Sequence, residues 1–157
     1  MSVGLAIPGV AFLLDPIRRK SGKVITQELT RLSALTVGEP KSFAIIAERR
    51  DAWVQYPKEP VGLVWLVRQP EGSGAAVVAY TAECPHIGCQ IGLTDDAKAF
   101  VCPCHRAEFD FQGKKKNAVS PRAMDTLDVE LTKDDDPTVI VHFQRYRTQS
   151  PEKVPLV

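Results

Sequence analysis

All four cysteines and two of the three histidines of this 157-residue chain lie in one stretch, residues 83–110. They form two short loops, CPHIGC at residues 84–89 and CPCH at residues 102–105. Each loop offers one thiolate and one imidazole together with one further cysteine, and these groups are common ligands of transition metals. A proline in each loop restricts the backbone and helps to hold ligand geometry before a metal arrives. The chemistry expected here is metal binding.

Three interpretations fit these groups. A zinc site with two cysteine and two histidine ligands is tetrahedral and acceptable, but it leaves two cysteines unused and lacks the usual close pairing of thiolates. Two plain disulfides would leave both loop histidines without a role. A two-iron, two-sulfur cluster with two thiolate and two imidazole ligands uses all six groups if the remaining cysteines pair with each other.

The elements that must position the loops are β-strands. Short runs rich in Val, Ile, Phe, Trp and Tyr alternate with turn signals such as PKEP and DDDP. No long segment with 3.6-residue periodicity follows Leu35, which argues against a doubly wound α/β fold. We therefore predict an all-β protein. The predicted strands cover residues 42–47, 52–56, 61–67, 75–81, 98–101, 108–111, 126–131 and 138–143.

The first 36 residues are predicted to lie outside this β domain. Residues 2–14 carry no charge, but a membrane-spanning helix needs about 20 apolar residues. We expect residues 1–20 to be a partial membrane anchor, or alternatively an N-terminal arm packed on the domain. Residues 21–36 are predicted to be a linker and residues 37–157 the domain. With 20 basic and 19 acidic residues, no charge excess points to nucleic acid.

The two loops resemble those of the Rieske iron–sulfur proteins, whose motifs are C-x-H-x-G-C followed by C-x-C-H. The resemblance implies stacked antiparallel sheets, with a cluster-binding subdomain at about residues 81–121 inserted in a base β domain. It also implies a Rieske-type [2Fe-2S] cluster. The ligands that it implies are Cys84, His86, Cys102 and His105, and the implied disulfide joins Cys89 to Cys104.

The second cysteine pair and the tail QRYRTQSPEK are similar to those of Rieske subunits from bacterial menaquinol-oxidising cytochrome bc complexes. That resemblance implies electron transfer from a quinol to a cytochrome, with cytochrome b and a c-type cytochrome as partners. His105 would contact the quinol, and Ile87 and Pro121 would shield the cluster. The implied location is the bacterial cytoplasmic membrane, with the domain on the periplasmic side. The alternative is the small Rieske subunit of a periplasmic molybdenum oxidase of the arsenite-oxidase type, acting as an electron relay.

Three positions depart from the high-potential members of the family, which have H-G-S-x-Y-D after the second motif. Ala107 replaces a serine and Phe109 replaces a tyrosine, whose hydroxyls donate hydrogen bonds that stabilise the reduced cluster. Losing both predicts a lowered reduction potential. Arg106 replaces a glycine, so either the loop turns differently or a positive charge faces a partner.

Overall fold

The computed structural model describes residues 24–48, 50–51 and 54–156. Its regular elements are β-strands and one 3-10 turn at Leu32–Ala34, which confirms the predicted all-β class. The strands are β1 (Ile25–Arg31), β2 (Pro40–Ala47), β3 (Arg50–Asp51), β4 (Val54–Gln55), β5 (Glu59–Arg68), β6 (Val77–Thr81), β7 (Gly92–Leu93), β8 (Phe100–Val101), β9 (Glu108–Phe109), β10 (Thr126–Leu131) and β11 (Thr138–Phe143).

A six-stranded antiparallel sheet forms the base, in the order β1-β11-β10-β6-β5-β2. The side chain of Gln27 connects its two edge strands. On β2, the Ile46 N–H donates to Gln27 Oε1 at 2.8 Å, and Gln27 Nε2 donates to the Ala44 carbonyl at 3.5 Å. The sheet therefore curls until its edges meet, so each edge is partly covered by the other.

Strand β5 is buried on both of its faces, which explains its continuous apolar run LVWLV. Val64 and Leu66 face the core enclosed by the curled sheet, whereas Trp65 and Val67 face a second core. The indole Nε1 of Trp65 donates to the Ile91 carbonyl at 3.0 Å. A strand with apolar residues on both faces is buried between two layers, and β5 is thus the wall shared by the base and the cysteine-containing segment.

The cysteine-containing segment leaves the base after β6 and returns to it at β10. The Thr81 N–H donates to the Asp125 carbonyl at 2.9 Å, and Thr126 pairs with Tyr80 in the sheet. Between these points, β7, β8 and β9 form a small antiparallel sheet. The segment from Ala82 to Asp125 is therefore an insertion whose two ends lie side by side.

The predicted linker at residues 21–36 is corrected by the structure. Strand β1 pairs antiparallel with β11 along most of its length, so the base includes residues before Val37. Only Ile25 and Leu29 are apolar in its sequence ITQELTR, so the strand had no strong apolar signal. The segment at residues 1–20 lies outside the described residues. No helix in the described part of the chain is long and apolar enough to cross a membrane.

Candidate metal centre

The first loop is a tight turn closed by two backbone hydrogen bonds. The Cys84 N–H donates to the Cys89 carbonyl, and the Gly88 N–H donates to the Cys84 carbonyl, both at 2.8 Å. Gly88 has a φ of +82°, which is the left-handed region that glycine adopts without steric cost. The turn brings Cys84 and Cys89 together at the base of the loop and leaves His86 at its tip.

The second loop repeats this pattern at matching positions. The Cys102 N–H donates to the Ala107 carbonyl and the Arg106 N–H donates to the Cys102 carbonyl, both at 2.9 Å. Arg106 takes the place of Gly88 and has a φ of +58°. The loop thus keeps the left-handed turn that a glycine would make, and the suggestion that arginine makes it turn differently is wrong.

The side chain of Asn117 supports that turn. Its Nδ2 donates to the Arg106 carbonyl at 2.7 Å, and its Oδ1 accepts from the Val119 N–H at 3.3 Å. A left-handed conformation costs a non-glycine residue roughly 1–3 kcal/mol and persists only where the surrounding structure holds it. Asn117 was not singled out from the sequence, because an asparagine after three lysines looks like part of a solvated turn.

A disulfide between Cys89 and Cys104 joins the two loops, with 6.5 Å between their Cα atoms. This confirms the pairing that the resemblance implied. The sulfur of Cys102 lies within 4.8 Å of both disulfide sulfurs, but these two are covalently paired and do not serve as thiolate ligands. The thiols left for a metal are those of Cys84 and Cys102, and both are free and buried.

The Cys84 thiol is surrounded by groups that tune a sulfur ligand. Burial, with a smaller effect from the adjacent Cys102 thiol, raises the pKa of Cys84 to about 11. The backbone N–H groups of His86 and Ile87 act in the opposite direction by donating hydrogen bonds to its sulfur. A metal ion deprotonates a coordinating thiol outright, and the same N–H groups would then stabilise the thiolate.

The rings of the two loop histidines pack edge to face. The ring centres of His86 and His105 are 4.8 Å apart, with planes at 80°. His86 Nδ1 is buried and has no hydrogen-bond partner, which is unusual because nearly all buried polar atoms in proteins have one. A metal bound to that nitrogen would satisfy it. The four groups left after the disulfide, two thiols and two imidazoles, therefore fit a [2Fe-2S] cluster of the mixed ligand type.

The groups around the loops differ in exposure. Ala107 and Phe109 are 1% and 0% exposed, so the two positions that lack a hydroxyl lie inside the second core. Ile87 is 40% exposed at the tip of the first loop, His105 is exposed, and Pro121 is half-buried. Next to the first loop, Arg145 makes a bidentate ion pair with Glu83, with N···O distances of 2.7 and 2.9 Å.

An all-β framework that holds two disulfide-joined Cys/His loops defines an iron–sulfur protein of the mixed thiolate and imidazole class. Residues 27–130 match the model of the Rieske [2Fe-2S] domain family. The chain belongs to this family, and its cofactor is a Rieske-type [2Fe-2S] cluster.

The chain is also similar to two curated relatives and to one solved structure. It is 29% identical to the menaquinol:cytochrome c reductase iron-sulfur subunit of Bacillus subtilis over 126 residues, 78% of this chain and 71% of that protein. It is 24% identical to the cytochrome b6-f complex iron-sulfur subunit of Chlorobaculum thiosulfatiphilum over 73% of this chain and 52% of that protein. Naphthalene 1,2-dioxygenase shares the fold, with a TM-score of 0.54 and 18% identity over 77% of this chain and 26% of that one.

Proposed function

We propose that this protein is the electron-transfer Rieske subunit of a quinol-oxidising cytochrome bc complex. The observation that carries the proposal is the disulfide between Cys89 and Cys104, which holds an exposed imidazole, His105, beside two buried free thiols. The similarity to the iron–sulfur subunit of a menaquinol:cytochrome c reductase supports it.

The proposed ligands are Cys84 and Cys102 for one iron and His86 and His105 for the other. When bound, the cluster supplies a one-electron acceptor whose oxidised iron makes its imidazole ligands more acidic. The two cysteines contribute buried sulfurs in a dry site, where electrostatic effects are strong. The two histidines contribute nitrogens near the surface, where a proton can enter or leave.

His105 is the proposed contact for the quinol. Its ring is exposed at the tip of the second loop, so a quinol hydroxyl can donate a hydrogen bond to its free nitrogen and then transfer its proton there. Ile87 and Pro121 are proposed to exclude water around this contact. Ile87 suits that role because it is an exposed apolar side chain at the tip of the neighbouring loop.

The reduction potential is proposed to lie well below the upper end of the range of Rieske centres, about −150 to +300 mV. Ala107 and Phe109 carry no hydroxyl, so neither side chain can donate a hydrogen bond to a cluster sulfur. Hydrogen bonds to the sulfurs favour the more negative, reduced state. A lowered potential suits menaquinol, which is a stronger reductant than ubiquinol.

The proposed partners are cytochrome b, a c-type cytochrome and the quinol. The proposed location is the bacterial cytoplasmic membrane, with the domain on the periplasmic side and the N-terminal segment as its anchor. The disulfide supports an oxidising compartment, because disulfides persist there and are rare in the cytosol.

The complex purified from the native membrane tests the proposal. We expect the full chain to copurify with cytochromes b and c and to support reduction of cytochrome c by a menaquinol analogue. His105→Ala should abolish that activity, whereas Lys98→Ala, an exposed residue of the β7–β8 turn, should retain it. Copurification with a molybdenum subunit and no response to quinol would overturn the proposal and favour the electron-relay alternative.

A further inference from the structure

The C-terminal tail, residues 144–156, crosses the first ligand loop. The backbone N–H of Gln149 donates to the Pro85 carbonyl at 2.9 Å and to the His86 carbonyl at 3.1 Å. Gln149 has a φ of +56°, so the tail bends sharply at the residue that makes these bonds. The tail thereby holds the backbone of the first loop at Pro85 and His86.

A buried arginine fixes the tail on both sides of Gln149. Arg122, which follows the predicted shielding residue Pro121, is 9% exposed. Its Nη1 donates to the Ser150 carbonyl at 2.6 Å and its Nη2 donates to the Arg147 carbonyl at 2.8 Å. The guanidinium therefore holds the tail two residues before the bend and one residue after it.

The charge of Arg122 is compensated by Asp125, which is 4% exposed. Nε donates to Oδ1 at 2.8 Å and Nη2 donates to Oδ2 at 2.7 Å. This bidentate geometry is the strongest form of such a pair, and it fixes the plane of the guanidinium. With one side of the fork held by Asp125, the other donors point at the tail.

The tail has other attachments that do not involve Arg122. Lys153 Nζ donates to the Thr126 carbonyl at 2.7 Å, and the Tyr146 hydroxyl donates to the same carbonyl at 3.4 Å. Loss of the guanidinium would therefore loosen the bend at Gln149 without detaching the whole tail. The effect should reach the loop that Gln149 touches, which carries His86.

We propose that Arg122 is a positioning residue for His86, acting through the C-terminal tail. The inference rests on His86 being an iron ligand, as proposed above. Arg122 holds the carbonyls of Arg147 and Ser150, these hold the Gln149 N–H in place, and that N–H fixes the first loop. The disulfide fixes the far end of the same loop at Cys89. The loop is therefore held by a covalent bond at one end and by backbone hydrogen bonds from the tail at Pro85 and His86.

The test uses the cluster-containing full chain labelled with 15N-histidine and measures the hyperfine couplings of the ligand nitrogens in the reduced state. The double variant Arg122→Met with Asp125→Leu removes the hydrogen bonds from the guanidinium to the tail. It leaves no buried carboxylate unpaired, and an intact ion pair can often be replaced by apolar residues of similar volume. Arg122→Lys keeps the charge and serves as the rescue variant. Arg147→Ala is the matched control, since its exposed side chain makes no hydrogen bond among the described residues and only its carbonyl contacts Arg122.

We expect one of two nitrogen couplings to shift or broaden in the double variant, partial recovery in Arg122→Lys, and no change in Arg147→Ala. If the double variant melts at a lower temperature with both couplings unchanged, the role of Arg122 is structural only and the inference is overturned. If the wild-type protein itself shows no coupling to histidine nitrogen, the ligand assignment fails, and the inference fails with it. If the double variant does not fold, Gln149→Gly takes its place, because it keeps the N–H but makes the backbone at the bend more flexible. It should change the same coupling, and an unchanged coupling there overturns the inference.

Discussion

Gly88 and Arg106 occupy the same position in the two ligand loops, each four residues after a free cysteine, and both have left-handed backbones. Each donates its N–H to the carbonyl of that cysteine. The two loops therefore have one backbone design built from two sequences. Glycine fits this conformation freely, whereas arginine is strained in it.

Arg106→Gly should therefore stabilise the protein. Removing the strain should raise the free energy of unfolding by about 1 kcal/mol, which corresponds to a rise of about 2–4 °C in the melting temperature of a chain of this size. Thermal melts of the cluster-containing protein measure it. Gly88→Ala is the control in the other loop and should lower the melting temperature, because the new Cβ would lie 3.2 Å from Glu83 Oε1 at an unfavourable φ. A lower melting temperature for Arg106→Gly would contradict the strain argument.

Restoring the two absent hydroxyls should raise the reduction potential. In the double variant Ala107→Ser with Phe109→Tyr, each new hydrogen bond favours the reduced cluster by roughly 1 kcal/mol. For a one-electron couple this is about 40 mV per hydroxyl, since a tenfold change in the equilibrium constant equals about 59 mV. Protein-film voltammetry at neutral pH measures the shift. Phe111→Tyr adds a hydroxyl to a half-buried ring nearby and should leave the potential unchanged, whereas an unchanged potential in the double variant would refute the hydrogen-bond explanation.

Removing the disulfide should make the protein lose its cluster more readily and should lower the stability of the domain. In the chain-entropy model, closing the loop of 15 residues between Cys89 and Cys104 is worth about 3 kcal/mol. Replacing both cysteines by alanine should lower the melting temperature and speed the loss of visible absorbance in the presence of a chelator. Cys84→Ser is the contrasting variant, because it should lose the Rieske spectrum entirely. If the disulfide variant released its cluster at the wild-type rate, the disulfide would not be what holds the two loops together.

Tyr80 should make stability fall at alkaline pH. Burial, and then the charge of Asp110, raises its pKa from 10.0 to about 12. Because the folded pKa lies above the unfolded one, the stabilising contribution is fully present below pH 10 and is lost as the pH rises through 12. The loss amounts to about 3 kcal/mol for two pKa units. Denaturant titrations should therefore show the free energy of unfolding of Tyr80→Phe rising relative to that of wild type above pH 10. Between pH 7 and 9 the difference between the two should be constant. A constant difference up to pH 12 would show that Tyr80 does not ionise with unfolding.

The pairing of the two Cys/His loops and the last two strands could be predicted from the sequence because their signals are local. The Cys and His spacing lies within a few residues of chain. Strands β10 and β11 coincide with the predicted runs. In β11 the apolar residues Val139, Val141 and Phe143 recur at every second position and form its inward face. Strand β1 was missed because its partner β11 lies more than 100 residues away and because only Ile25 and Leu29 among its own residues are apolar.

The supports of the site could not be predicted because they act at long range or through the backbone. Gln149 contributes an N–H group that every residue except proline possesses, so its side chain carries no signal. Arg122 looks like a surface residue beside a proline until the tail folds over it. Asn117 stabilises the turn at Arg106 from eleven positions along the chain. In each case the sequence specifies the group, and only the folded chain shows what it touches.

The adjacency of Thr81 and Asp125 gives the protein a modular character. The chain leaves and re-enters the base through neighbouring strands, so closing the insertion requires only that its two ends be close together. The entropy of closing a loop grows only slowly with its length, and the base is correspondingly tolerant of the length of the segment inserted there. The inserted segment can therefore change in length at turns far from the base, such as the β7–β8 turn, whereas the part that packs on Trp65 and Val67 must keep an apolar surface.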